Sequence, residues 1–245
     1  MATLLITGGS AGIGAATARM AATRGYDRIL ITYSQDTAGA DKVLRDLAPT
    51  GISAQAIQAD VTDMSAITDL FDQVRSLPDA PLHLVNNAGI VSPTGSLQDL
   101  TPDRVARVFA VNVFGAIEIA RQAVRYMQDR RGGHVVNISS AAARLGSPHQ
   151  YIDYAATKGA IETVTIGMAH ELAADGIRVN GVRPGLIETG IHAKGGVPDR
   201  LAQIGHTPPL GRPGTPDEVA EGILWLLSDA ARYVTGTFLD VTGGR

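Results

Sequence analysis

The chain contains no cysteine, which excludes disulfides and thiolate metal ligands. One tryptophan and four phenylalanines leave little for base stacking, and a formal net charge of -3 with no basic run gives no field for nucleic acid. The six histidines (His83, His134, His149, His170, His192 and His206) are scattered without ligand spacing, so no metal is expected. No apolar stretch approaches the ~20 residues of a membrane span. The first apolar run has no charged region before it, so a signal peptide is not expected either. A cysteine-free chain suits a reducing compartment, and a cytoplasmic location is the expectation. Lysine is almost missing too: only Lys42, Lys158 and Lys194 occur, with arginine supplying the other basic residues.

What is present is 245 residues with 44% hydrophobic content, enough for a sizeable core in one large domain. Short β-rich runs at Thr3–Thr7, Ile29–Tyr33, Ala54–Ala59, Leu82–Asn86, His134–Ser139, Arg178–Arg183 and Thr237–Val241 alternate with helical segments. The helical segments include Gly12–Arg24, Ala38–Ala48, Met64–Leu77 and Pro216–Ser228. Several strand runs are almost wholly apolar, as strands buried on both faces must be. Strand–helix alternation predicts right-handed crossovers and a doubly wound α/β fold: a parallel sheet with helices on both sides. No low-complexity linker divides the chain, so 1–245 reads as a single domain. The helices near Val113–Met127 and Ala155–Leu172 are apolar on more than one side, where a helix of a two-sided sheet needs one apolar stripe. The second face points to a subunit interface.

Thr7-Gly8-Gly9-Ser10-Ala11-Gly12-Ile13-Gly14 follows the first strand and opens the first helix. Glycines allow a tight turn and close approach of a pyrophosphate, and the helix N-terminus offers free N–H groups and partial positive charge. In this strand-before, helix-after setting the run is a dinucleotide signature. The residue type at the end of the second strand discriminates the nicotinamide cofactors. An acidic residue ~20 positions past the glycines would bind the ribose diol and repel a 2′-phosphate. That position falls on Ser34, between Tyr33 and Gln35, and none is acidic, although Asp36 follows closely. The pattern predicts a preference for NADP(H), with NAD(H) possible. Asp60-Val61 after the third strand and Asn86-Asn87-Ala88-Gly89 at the end of the fourth lie at strand C-termini, where open parallel sheets bind ligands.

Tyr154 and Lys158 stand four apart in a segment with Ile161, Val164, Met168 and Leu172 at helical spacing, so they share one helix face. A free tyrosine titrates near ~10. An ammonium ~4 Å away at intermediate dielectric is worth roughly 4 kcal/mol, which would lower that value by about three pH units before desolvation is subtracted. The expectation is a tyrosine acidified by its lysine and able to exchange a proton with an alcohol or ketone.

Taken in order, the Thr7–Gly14 turn, Asn86-Asn87-Ala88-Gly89, Asn112 in Val-Asn-Val, Ser139-Ser140, Tyr154…Lys158 and Arg183-Pro184-Gly185 resemble the short-chain dehydrogenase/reductase family in its short, non-extended branch. The resemblance covers nearly the whole chain. It implies a seven-stranded Rossmann-type sheet, a homotetramer, and a small-molecule carbonyl or alcohol as substrate. The family's catalytic group falls on Asn112, Ser140, Tyr154 and Lys158. In that scheme Tyr154 moves the proton, Ser140 steadies the substrate oxygen, Lys158 lowers the tyrosine pKa and holds the nicotinamide ribose, and Asn112 interrupts its helix and holds a water. The implied cofactor contacts are Thr7, Gly8, Ser10, Gly12, Ile13, Gly14, Tyr33, Ser34, Gln35, Asp60, Val61, Asn87, Ala88, Gly89, Tyr154, Lys158, Pro184, Gly185, Ile187 and Thr189.

The chain departs from the family pattern in two places. The family serine commonly lies thirteen positions before the tyrosine, but Ser140 lies fourteen and Ser139 fifteen before Tyr154. An extra residue in the Gly146–Tyr151 loop would account for this and select Ser140. Ala143 also stands where a glycine often occurs. The Gly- and Pro-rich stretch 188–213 is the expected substrate lid, with His149, Gln150, Leu186 and His192 as further pocket candidates. Glu188–Gly196 and Asp240–Arg245 resemble uncharacterised bacterial glucose-dehydrogenase-like oxidoreductases. A sugar dehydrogenase is one alternative. A 3-oxoacyl-carrier-protein reductase is another, with Arg144 or Arg130 and Arg131 as a basic patch for the carrier. From another class, a dinucleotide-sensing module without turnover would typically lack the tyrosine or lysine.

Overall fold

The computed structural model describes residues 2–130 and 132–245, without the side chains of His192 and Lys194. Arg131 and the His192 side chain, considered above, therefore lie outside the described residues. Seven strands form one fully parallel sheet: β1 Thr3–Ile6, β2 Arg28–Tyr33, β3 Ser53–Gln58, β4 Leu82–Asn86, β5 Gly133–Ile138, β6 Ile177–Pro184 and β7 Phe238–Val241. Their spatial order is β3-β2-β1-β4-β5-β6-β7. The order reverses between β1 and β4, which opens a crevice beyond their C-terminal ends.

Period-two alternation in the strands feeds two cores. Leu4, Ile6, Ile29, Ile31, Val85 and Val136 pack on one face, with Ala15 and Ala18 of α1 (Gly12–Ala21), Val43 of α2 (Thr37–Leu47) and residues of α10 (Pro216–Leu227). Leu5, Leu30, Leu84 and Val135 pack on the other. Their partners include Phe71 of α3 (Met64–Ser76), Ile119 of α5 (Ala116–Asp129), and Ala169 and Leu172 of α7 (Ile152–Leu172). Each large apolar side chain buried this way contributes roughly 1.5–3 kcal/mol. The small residues of α1 let that helix lie close to the sheet.

Helix ends follow side-chain chemistry. Asp36 caps α2, Asp63 caps α3, and Thr101 caps α4 (Pro102–Phe109). Thr215 caps α10 in a reciprocal box with Glu218, Pro216 taking the first turn. Helix α1 stops at Ala21, short of the expected Arg24, whereas α7 begins two residues ahead of Tyr154.

Between α4 and α5 the chain makes a π-helical turn, Ala110–Gly115. It is the helix interruption that the family resemblance implies around Asn112. Two short helices were not legible as periodicity: α8 (Ile191–Lys194) and α9 (Arg200–Ile204). With α6 (Ala142–Leu145), they contribute residues to one cavity wall, Ala142 and Leu145 from α6, Ile191 from α8 and Arg200 from α9. The excursion from 188 to 213 is closed at its base by backbone pairing, Glu188 N–H to Gly214 O (2.9 Å) and Gly214 N–H to Leu186 O (2.9 Å).

Candidate active site

The glycine turn is locked to β4 before any ligand arrives. The Thr7 hydroxyl accepts from the Asn87 and Ala88 amides, each at 2.9 Å, while Asn87 Nδ2 donates to Thr7 O and Gly8 O. Thr7 is fully buried, so its side chain holds the turn together rather than facing the crevice. Gly12 has φ +54°, the left-handed region that glycine tolerates. A Cβ on Gly14 would stand 2.5 Å from Gly8 O. The turn therefore packs too closely for side chains.

Helix α1 differs from α2, α3, α4 and α10 in having no side-chain cap. Its first N–H groups remain available to an anion, which fits a dinucleotide pyrophosphate. At the rim, Ser34 Oγ donates to Asp60 Oδ2 (3.3 Å), and Asp60 also accepts from the amide and hydroxyl of Thr62. Those bonds, the Thr62 amide first, hold the Asp60 carboxyl below its usual range. Asp36, the one acidic group near Ser34 in sequence, is turned to the Gly39 amide at 3.0 Å.

A cavity of about 380 Å³ opens at the C-terminal ends of β4, β5 and β6. It brings together Ile13, Asn87, Gly89, Ser140, Tyr154, Lys158, Pro184, Gly185, Ile187 and Thr189 from the expected set. The remaining expected contacts, including Ser10, Tyr33, Ser34, Gln35, Asp60, Val61 and Ala88, do not line it. Gln150 and Leu186 line it, but His149 does not. Tyr151 and Arg200 were missed by sequence reasoning. Neither sits in a motif, and only the fold of the excursion brings Arg200 to the wall.

Both serines line the cavity, but their hydrogen-bond partners differ. Ser139 is buried, and its hydroxyl donates to Glu162 Oε1 (2.8 Å) and the Lys158 carbonyl (3.4 Å), back toward α7. Ser140 Oγ accepts from the Ala142 amide (3.1 Å), and Ser140 shares the cavity wall with Tyr154. The loop between serine and tyrosine carries Ser147 and His149 at positive φ (46° and 60°), left-handed backbone that residues other than glycine seldom adopt.

Lys158 is 4% exposed, and its Nζ donates to Ile138 O at 2.7 Å. It stands 5.5 Å from the centre of the Tyr154 ring. Burial pushes the Lys158 ammonium down to about 8. Burial also pushes the Tyr154 phenol up to about 12, against a smaller opposing pull from Ser140. Burial thus acts on Tyr154 in the direction opposite to the expected acidification by Lys158. The ammonium is hydrogen-bonded to a main-chain carbonyl, and burial is the larger influence on the phenol.

Asn112 is 1% exposed and pairs with Ile90 as a strand would: Oδ1 accepts from Ile90 N–H (2.8 Å) and Nδ2 donates to Ile90 O (2.9 Å). Nδ2 also donates to Thr157 Oγ1 (3.2 Å) on α7. Two ion pairs not foreseen from sequence fix α7. Arg104 forks onto the buried Asp153 (2.8 and 3.2 Å), and Arg183 forks onto Glu162 (2.6 and 2.8 Å). Tyr154 thus follows a carboxylate anchored to α4, and Lys158 precedes one anchored to β6.

A family model described as enoyl-(acyl carrier protein) reductase matches residues 8–245. The chain belongs to the short-chain dehydrogenase/reductase family. This family member is 45% identical over 248 residues to the uncharacterized oxidoreductase YgfF of Escherichia coli (strain K12), across the full length of both chains. It is 37% identical to the cis-4-hydroxycyclohexanecarboxylate dehydrogenase of Sinomonas cyclohexanicum, over 98% of this chain and 94% of that one. A 3-ketoacyl-(acyl-carrier-protein) reductase of Brucella melitensis, solved with NADH, superposes with a TM-score of 0.89 at 29% identity, over 100% and 98% of the chains. This short-chain dehydrogenase/reductase is accordingly an NAD(P)-dependent enzyme. No helix among its described residues is long and apolar enough to cross a membrane, and no group of three metal-ligating side chains occurs among them.

Proposed function

We propose that the protein interconverts a carbonyl and a secondary alcohol with Tyr154 as acid/base, preferring NADP(H). The carrying observation is the single cavity lined by Tyr154, Ser140, Lys158 and the nicotinamide-end residues Gly185, Ile187 and Thr189. A bound nicotinamide supplies the hydride at its C4. In reduction, Tyr154 gives its proton to the substrate oxygen, and the Ser140 hydroxyl stabilises the charge developing there. Lys158, fixed at the end of β5 by its bond to Ile138 O, would hold the nicotinamide ribose. Asn112 holds Ile90 and α7 in register and so positions Lys158. The uncapped end of α1 would hold the cofactor phosphates, with Gly8, Ser10, Gly12, Ile13 and Gly14 at the turn.

The preference for NADP(H) rests on Ser34 and its neighbours Tyr33 and Gln35 being neutral, and on Asp36 being occupied as a helix cap. The 188–213 excursion acts as a lid over the substrate. A homotetramer is supported by uncovered apolar surface: Phe114 is 62% exposed and Ile166 44%, and Trp225 on α10 and Tyr233 are exposed as well.

The relatives' names span hydroxycyclohexanecarboxylate and acyl-carrier substrates. Arg144 is paired with Asp240 and Arg130 with Asp79, so these arginines do not favour a carrier protein over a small molecule. Fluorescence titration with NADPH and NADH, followed by a carbonyl and alcohol panel, tests the assignment. Tyr154→Phe should abolish turnover yet retain cofactor binding; normal rates in that variant would sink it.

A further inference from the structure

The cavity wall beside Tyr154 holds an arginine with nothing acidic facing it. Arg200 opens α9, and its Nη2 donates to Gln150 Oε1 at 2.6 Å. Its guanidinium stands 5.2 Å from the centre of the Tyr151 ring. Arg200 Nε is buried and has no hydrogen-bond partner, and neither has the buried Tyr151 hydroxyl. Both residues line the cavity. Among the described residues four buried side-chain polar atoms lack a partner; the other two, on His134 and Asn137, belong to residues that do not line it.

An orphaned buried donor costs about 1–3 kcal/mol, so two on one wall mark a place for a ligand's acceptor atoms. Charge is equally one-sided. No Asp or Glu among the described residues lines the cavity, and Arg200 takes part in none of their ion pairs. The cofactor phosphates do not answer this charge, because the uncapped amides that suit them are on α1. Gln150 and Tyr151 instead lead into α7, directly ahead of the proton-donating Tyr154.

We propose that Arg200 and Tyr151 form an acid-reading subsite, and that the substrate carries a carboxylate in addition to its carbonyl or alcohol. One carboxylate oxygen takes the Arg200 Nε–H and the other the Tyr151 hydroxyl, which satisfies both orphans and places a counter-charge beside the guanidinium. This rests on the site assignment above and narrows its substrate class. Tyr151 and Arg200 act in recognition and take no part in the hydride or proton transfer.

The test is calorimetric titration of the NADP(H)-loaded enzyme with cyclohexanecarboxylate and with the neutral, similarly sized cyclohexanecarboxamide. The acid should bind about ten-fold tighter or more, the gain typical of a hydrogen-bonded charge. Arg200→Leu should bring the ratio close to one, Arg200→Lys should keep part of it, and Tyr151→Phe should reduce it several-fold, each in a variant whose melting curve shows it folded. Equal affinities, no binding of either compound to the parent protein, or a ratio that survives Arg200→Leu would overturn the proposal. Tighter binding of cyclohexyl phosphate than of the carboxylate would overturn the choice of acid. Turnover by the parent and its loss in Tyr154→Phe are read separately, so a wrong substrate class and a wrong reaction give different results.

Discussion

Lys158 donates a 2.7 Å hydrogen bond to the carbonyl of Ile138, while Tyr154, one helical turn before it, keeps a phenol pushed up to about 12. The helix brings the two residues to the same face, but the end of β5 takes the ammonium. A phenol raised by burial is a neutral acid at neutral pH, the form needed to protonate a carbonyl oxygen during reduction. Ultraviolet difference titration of the ligand-free protein against Tyr154→Phe should show no tyrosinate from this residue below about pH 10. Adding the oxidised cofactor, whose nicotinamide is cationic, should lower that titration, because a nearby positive charge favours phenolate. A phenolate already present at neutral pH without cofactor would contradict the arrangement.

Ser34 should set the cofactor ratio. Ser34→Asp places a second carboxylate next to Asp60 and beside the expected 2′-phosphate, where like charges repel. The ratio of kcat/KM for NADPH over NADH should fall about ten-fold or more, the effect of roughly 1.4 kcal/mol. Steady-state kinetics with both cofactors read it directly, and an unchanged ratio would remove Ser34 from the ribose site.

Glu162 joins α7 to β6 through Arg183 and receives the Ser139 hydroxyl. Glu162→Gln removes the charge but keeps the shape, so its effect isolates the ion pair. Both partners are largely buried, so the loss of stability should reach about 1–3 kcal/mol in denaturant unfolding. Ser139→Ala, which removes one neutral donor, should cost about 1 kcal/mol or less.

Gly115 closes the π-helical turn against the third strand's exit. A Cβ there would lie 2.4 Å from Val61 O, a main-chain atom with nowhere to retreat. Gly115→Ala should destabilise by about 1–3 kcal/mol or more, visible as a lowered melting temperature. Gly167→Ala meets nothing within 4 Å and serves as the matched control in a monomeric preparation.

His83 and His134 face each other across β4 and β5, with ring centres 4.5 Å apart. Burial holds them neutral, at about 3 and about 4. An unfolded histidine takes up a proton near 6.5. Between those values the unfolded chain binds more protons, so stability is intact above about pH 6.5 and falls as pH is lowered toward 4. The two shifts together correspond to about 6 kcal/mol by pH 4, roughly 3 from each histidine. His134→Phe should flatten this acid limb; a pH-independent unfolding free energy in the parent protein would show the pair is not buried neutral.

Much of this site was legible in the chain. Short β-rich runs placed all seven strands within a residue or two; five of them, β1, β2, β4, β5 and β6, are buried along most of their length, which leaves little freedom in their composition. The glycine turn was legible because a left-handed φ at Gly12 and the close packing at Gly14 permit few alternatives. The short helices α8 and α9 were hidden, since four or five residues are too few to show a helical period. The Arg104–Asp153 and Arg183–Glu162 pairs were hidden because their partners lie far apart in sequence, and any of the 21 basic residues could have met any of the 24 acidic ones.

By itself, the sequence determined the sheet, its two apolar faces, the glycine turn and the four-residue spacing of Tyr154 and Lys158, all consequences of local geometry and of which residues tolerate water. Only the tertiary structure decided what those groups face. It gave the Lys158 ammonium to Ile138, sent Ser139 toward Glu162, spent Asp36 on a helix cap, and set Arg200 beside Tyr151. Charge, desolvation and hydrogen-bond partnership depend on atoms brought together from distant parts of the chain, and residue spacing does not encode those distances.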